Sequence, residues 1–339
     1  MKPDLKFTAL AIIGALFAAS FSLPAVAADA TAPAARVTFD GNIKNNSLAL
    51  SPDESTAVVS YSERPDVVVY NLQKGTVRGV LHGYVTPRNI VFAPDGKSLY
   101  VSDSSRGEVV KIDSARLKPL AHLPAGPGAF GTALSTDGGQ LYVNNQATST
   151  VPRFDTATGQ ARAVITGFAQ PRQGVRLSPD GSKLYVTNFL GDKVSIVDTQ
   201  TDKVEGEITG FNKIRAISVT TDGKTMFAAN SGADNIAVVD IAKREITGTV
   251  AVGKDPYGAA LTPDGRFVYS GNLAANTVSV IDVDTLKVVA TITGFKQPRQ
   301  AIVFTRDGKL AYVLNEDLSV SKVDRASQRI VGTLAPPKF

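Results

Sequence analysis

One aspartate recurs seven times along this chain at almost constant spacing. It stands in SPDE (51–54), APDG (93–96), STDG (135–138), SPDG (178–181), TTDG (220–223), TPDG (262–265) and TRDG (305–308). The positions are Asp53, Asp95, Asp137, Asp180, Asp222, Asp264 and Asp307, in steps of 42, 42, 43, 42, 42 and 43 residues. A fixed period of that length is the mark of one supersecondary unit copied along an array, because each unit leaves an apolar face that only its neighbours can cover.

Inside a unit the pattern alternates and is rich in β-branched residues, as in KLYVTN (183–188), KVSIVDT (193–199) and KVEGEIT (203–209). Period-two runs bounded by Gly, Asp, Asn or Ser read as short antiparallel strands. The Asp-Gly segments read as tight turns, since Asp bonds its own backbone and Gly accepts a positive φ. Each unit is then four strands, A to D. Units of about 40–45 residues pack radially around an axis, so the sequence predicts an all-β chain forming a single seven-bladed β-propeller of four-stranded antiparallel blades. Strand A, such as GVRLS (174–178), is expected innermost and strand D outermost.

Two segments compete for the last outer strand. RIVGTLA (329–335) continues the final hairpin, while RVTFDG (36–41) matches the same slot by its distance from Asp53. The C-terminal segment is the expected strand, with the N-terminal one added at the seam between blades seven and one.

The motifs LYVSD (99–103), LYVNN (141–145), LYVTN (184–188), VYSGN (268–272) and AYVLN (311–315), with SPDG and VSIVDT, resemble the YVTN-repeat family of β-propellers from about residue 46 onward. The resemblance implies an exported or surface protein used for binding and interaction. Related propellers include lactone hydrolases and haem-carrying domains, so fold analogy does not choose a function.

Lys2 and Lys6 precede an apolar stretch from Phe7 to about Leu23, followed by Pro24 and the small residues Ala25, Val26, Ala27 and Ala28. That layout predicts a cleaved secretory signal over 1–28, a flexible lead over 29–35 and a propeller over 36–339. The mature protein is expected in the periplasm or secreted, without a membrane span, as a monomer. The chain has no cysteine and only His82 and His122, which disfavours disulfides, thiolate metal sites and haem ligation. No metal and no cofactor are expected. The net charge of +5 is spread along the chain, unlike the dense basic arm of a dedicated nucleic-acid binder.

Residues used identically in every unit point to scaffold. The aspartates ending strand C (Asp113, Asp155, Asp198, Asp240, Asp282 and Asp324, with Asn71 in the first unit) are expected to cap turns, and Asn188, Asn230, Asn272 and Asn315 to close the B–C loops. The informative position is the variable one just before strand A, where successive units place Asn46, Arg88, Phe130, Arg172, Arg215, Tyr257 and Arg299. Four arginines and two aromatics would converge on one mouth of the channel. Two of these loops, GFAQPRQ (167–173) and GFKQPRQ (294–300), are nearly identical, and their last residues, Gln173 and Gln300, are the insertions that lengthen two of the steps to 43. Arginine forks and glutamine amides suit a carboxylate or phosphate. The competing reading pairs each arginine with an acid on the next blade. Arg176 joins the candidates because other units place Val91, Ala133, Ser218, Ala260 or Val303 at its position. A charge there needs a partner or channel water.

The sequence therefore predicts a non-catalytic propeller that binds a periplasmic protein or a small anionic ligand through Arg88, Phe130, Arg172, Gln173, Arg176, Arg215, Tyr257, Arg299 and Gln300. No G-x-S-x-G elbow or H-E-x-x-H pair occurs. Two alternatives stay open: a lactonase-like hydrolase drawing a base from Asp103, Glu108 or Glu316, and single-stranded nucleic-acid or nucleotide binding with bases stacked on Phe130 and Tyr257.

Overall fold

The computed structural model describes residues 35–37, 39, 44–188 and 190–338, apart from the side chain of Gln173. The expected signal over 1–28 and nearly all of the lead over 29–35 lie outside the described residues. Within them, seven four-stranded antiparallel sheets follow one another, each built from consecutive strands and hydrogen-bonded in the order A–B–C–D. The innermost strands are Asn46–Leu50, Pro87–Phe92, Ala129–Leu134, Pro171–Leu177, Ile214–Val219, Ala260–Leu261 and Ile302–Phe304. The outermost are Thr76–Leu81, Lys118–Pro124, Ala161–Ile165, Lys203–Ile208, Glu245–Ala251, Lys287–Ile292 and Arg329–Leu334. This is the seven-bladed propeller that the period requires.

The B and C strands alternate between the two faces of a blade, and both faces are apolar because both are covered. Seven separate clusters of buried side chains result, one at each interface between neighbouring blades. The ring-closing cluster sets Leu48, Val59, Tyr61 and Tyr70 of blade one against Tyr312, Leu314, Leu318 and Val320 of blade seven. Its polar latch is Tyr70, whose hydroxyl donates to the Leu318 carbonyl at 2.8 Å.

Arg329–Leu334 pairs with Val320–Asp324 as the outer strand of blade seven. The part of 36–41 that is described does not reach the expected seam. Arg36 pairs with Glu63 in the B–C loop of blade one, and Val37 shares hydrogen bonds with Ser105 in that of blade two. The N-terminal segment thus meets the same face of the ring as the B–C loops.

The repeated turn shows why its aspartate cannot vary. The hydroxyl two residues earlier donates to the carboxylate in blades one and three to seven, as from Ser51, Ser135, Ser178, Thr220, Thr262 and Thr305. The backbone N–H two residues later donates to the same oxygen, and in blade two, where Ala93 replaces the hydroxyl, it is Lys97 N–H that donates to Asp95. The aspartates ending strand C take backbone N–H groups two or three residues on. Both sets are turn caps.

These bonds favour the carboxylate over the acid. Hydrogen bonds from the neighbouring hydroxyls hold Asp53, Asp137, Asp180 and Asp222 below the ordinary aspartate range, Asp180 at about 2. A lowered folded pKa contributes stability that is fully present above the unfolded value of about 3.9 and is lost as pH falls toward the folded value. The thermal midpoint should therefore be flat from pH 7 to 5 and fall steeply between about pH 4 and 2. A midpoint unchanged at pH 2.5, read by circular dichroism, would contradict the role given to these caps.

Candidate functional site

The variable position before strand A is placed by a β-bulge, which the alternation of the sequence does not announce. In blade two, Pro87 pairs with Asp103 and Ile90 with Val101, so one extra residue is taken up around Arg88. Blade five repeats this between Ile214 and Ile217, around Arg215. In blade four the irregular stretch runs from Pro171 to Val175, and Gln173 lies within it, so the 43-residue step appears as a larger bulge. Bulges turn side chains out of the pleat, and here they turn the mouth residues.

The carbonyl of a mouth residue is held by strand B of the preceding blade. Ser60 donates to the Arg88 carbonyl at 3.4 Å, Ser102 to that of Phe130 at 2.5 Å, and Asn144 to that of Arg172. Between blades six and seven the device changes: strand B carries Gly271, and the Arg299 carbonyl oxygen occupies the place of its missing Cβ.

Much of the repeated heptapeptide serves the scaffold. Gln170 and Gln297 both adopt positive φ, 54° and 49°, as Lys213 and Asp255 do at the same loop position. Gln300 closes the ring, its Nε2 donating at 2.6 Å to the carbonyl of Asn46 in blade one. Arg299 reaches the same seam, with Nη1 donating to the Lys44 carbonyl at 3.0 Å.

The arginines do not share one fate. Arg88, Arg172 and Arg299 are 1%, 6% and 4% exposed, so little of any of them is open to solvent. Arg88 donates from Nε to Ser104 Oγ at 2.9 Å and from Nη1 to Asn45 Oδ1 at 3.0 Å, with its guanidinium carbon 4.5 Å from the centre of the Phe130 ring. Tyr257 lies between Arg215 and Arg299, whose guanidinium carbons are 4.5 and 5.1 Å from its ring centre. Such contacts contribute about 0.5–2 kcal/mol each, and they hold cations in place without a carboxylate. Neither Arg215 nor Arg299 makes an ion pair among the described residues. Arg215 Nε donates to Ser231 Oγ at 3.0 Å, while its buried Nη1 has no hydrogen-bond partner. Asp255 is the acid whose field they feel: burial raises its pKa, with Arg215 and Arg299 pulling the other way.

These elements enclose a cavity of about 180 Å³ on the axis. Phe130, Arg172, Arg176, Arg215, Tyr257 and Gln300 line it, together with Lys44, Asn46, Asn89, Thr132 and Gln146. Arg88 and Arg299 are not among the lining residues. Four cations face this space, and no carboxylate or imidazole does among the described lining residues. Arg176 is reached by solvent but walled by protein, so desolvation lowers its pKa, and its Nη1 donates only to the Val175 carbonyl, at 2.8 Å. An arginine keeps its proton under any ordinary condition, so the cavity stays cationic.

The acids considered as bases are engaged elsewhere. Asp103 is fully buried and accepts four backbone N–H groups, from Val85, Thr86, Ser105 and Arg106. It does in blade two what Asn188, Asn230 and Asn315 do in theirs, where the side-chain oxygen takes an N–H of the D–A loop. Those asparagines therefore fasten the loop before strand A, rather than only closing the B–C loop. Glu108 is held by Arg106 at 2.6 Å and His122 at 2.9 Å, and Glu316 accepts from Tyr61 at 3.1 Å. His82 pairs with Asp66 at 2.7 Å on the surface. Guanidinium groups already lie over the rings of Phe130 (Arg88) and Tyr257 (Arg215 and Arg299), so a nucleobase would compete with them for those faces. Among the described residues no group of three or more His, Asp or Glu could hold a metal ion, and no helix is long and apolar enough to cross a membrane.

The family model described as lactonase, seven-bladed β-propeller, matches residues 47–209 and 196–289. Among solved structures the chain is similar to one titled Kuenenia stuttgartiensis hydrazine synthase, with a TM-score of 0.76 and 21% identity over 82% of this chain and 95% of that one. At that identity the likeness shows the fold alone. No curated protein matches the chain.

Proposed function

The chain belongs to the lactonase seven-bladed β-propeller family, and from that premise we propose that it is a non-catalytic binding propeller whose central cavity holds the anionic group of a ligand. The observation that carries this reading is the lining: Lys44, Arg172, Arg176 and Arg215 face one space with no carboxylate among its described lining residues. Like charges in a confined, poorly solvated site are mutually unfavourable, and a bound anion relieves that while satisfying the spare donor on Arg215. A cavity of about 150 Å³ is enough for a benzene ring, so about 180 Å³ suits a small carboxylate or phosphate better than an acidic segment of a partner protein. The YVTN-like repeats and the basic, apolar N-terminus suit an exported protein that works in the periplasm after its first 28 residues are removed.

Lactone hydrolysis, which the family description names, needs a group to take a proton from water, and the described lining supplies neither carboxylate nor imidazole. Calorimetric titration at low salt with benzoate, succinate and phosphate tests the proposal. At least one should bind, and Arg215→Ser should weaken it at least tenfold, about 1.4 kcal/mol. Unchanged affinity in the variant, or turnover of gluconolactone that Arg215→Ser abolishes, would contradict the reading.

A further inference from the structure

Arg176 also lines a second cavity, of about 430 Å³, that opens below it toward the turns carrying the repeated aspartates. Apart from Arg176, Ser218 and two threonines its wall is apolar, formed by Leu177, Val219, Leu261, Ile302 and Phe304 among others. No other charged residue lines it. Arg176 and Ser218 occupy equivalent positions on adjacent innermost strands: Arg176 pairs with Tyr185 on strand B of blade four, and Ser218 with Phe227 on strand B of blade five. The Ser218 Oγ is buried and has no hydrogen-bond partner. An apolar funnel thus ends on one guanidinium without an acidic partner and one orphaned hydroxyl.

We propose that this lower cavity is a binding site for an amphipathic monocarboxylate, with the carboxylate on Arg176 and Ser218 and the hydrocarbon chain along Leu177, Val219, Leu261, Ile302 and Phe304. A guanidinium offers two parallel N–H donors to one carboxylate, and Arg176 has committed Nη1 alone. The hydroxyl adds a third donor, and the cavity lies within the usual 300–1,000 Å³ range of ligand pockets. Binding covers apolar wall, partners the orphaned Ser218 hydroxyl and engages guanidinium donors that Arg176 has not committed. The site goes beyond the upper cavity and shares only Arg176 and Ile302 with its lining.

The test is calorimetric titration of the protein with decanoate below its micelle concentration, beside decan-1-ol and acetate. Decanoate should bind at least thirtyfold more tightly than either. Arg176→Gln should reduce it to the level of decanol, Ser218→Val should weaken it severalfold, and Arg215→Ser, which tests the upper cavity, should leave it unchanged. A decanoate carrying a photoreactive diazirine at its far end should label peptides containing Leu261 or Phe304, which keeps the test decisive even if Arg176→Gln fails to fold. Equal binding of decanoate and decanol, full affinity in folded Arg176→Gln, no binding of decanoate, or labelling confined to the outer strands would overturn the proposal.

Discussion

Replacing Asp103 by alanine should destabilise the propeller by about 3–4 kcal/mol, an effect larger than most single substitutions give. The carboxylate is fully buried and accepts four N–H groups that fasten the D–A loop and B–C loop of blade two. Truncation leaves those amides without an acceptor, and each one that stays buried costs roughly 1–3 kcal/mol. Thr86 is unexposed and Val85 and Ser105 are only partly exposed, so water cannot fully replace the lost acceptor. Asp103→Asn should recover part of the loss, because one oxygen remains. Glu108→Gln is the contrasting case. Its partners Arg106 and His122 are substantially exposed, and pairs of that kind contribute about 0–1 kcal/mol. Urea unfolding of the three variants measures the difference, and an Asp103→Ala midpoint within 1 kcal/mol of wild type would refute the buried-cap assignment.

Gly271→Ala should destabilise by about 2–3 kcal/mol, although alanine is ordinarily preferred to glycine within a strand. A Cβ there would collide with the Arg299 carbonyl oxygen and come within 3.2 Å of the Pro298 carbonyl carbon, both backbone atoms of the loop before blade seven. That loop also carries Gln300, whose amide closes the ring onto Asn46, and Arg299, which braces Tyr257. The substitution should therefore both lower stability and weaken anion binding at the mouth. Gly248→Ala, on an outermost strand with nothing within 4 Å of the added carbon, should be neutral or stabilising by up to about 1 kcal/mol. If both glycine variants behave alike in urea unfolding, the close packing of blades six and seven is not what fixes the loop.

The architecture was legible because it is written in repeated local chemistry. Seven Asp turns, six of them with a hydroxyl two residues earlier, gave the blade count, and alternation within each unit gave the strands. The candidate mouth was legible as a register position, and six of its nine named residues line one cavity: Phe130, Arg172, Arg176, Arg215, Tyr257 and Gln300. What distinguishes Arg215 from Arg88 and Arg299 was not legible. All three precede strand A and stack on an aromatic ring of a neighbouring blade, but Arg88 and Arg299 also bond to Asn45 and Lys44 before blade one and are almost fully buried. Those contacts join residues 42 to 255 positions apart, which no local pattern encodes. Asp103 was misread as a candidate base although a signal was present: LYVSD places it where LYVTN places Asn188, the residue that fastens the same loop. The lower cavity was missed for a similar reason, since Arg176 and Ser218 gain meaning only once adjacent innermost strands bring them to one wall.

Whether the axial cavity holds an anion can be read from an anomalous difference map of a crystal soaked in millimolar selenate. The strongest peak should lie inside the ring, within hydrogen-bond distance of Arg176 and Arg215, and should be lost in Arg215→Ser. Peaks confined to the outer surface, with the cavity holding only water, would contradict the proposed anion site.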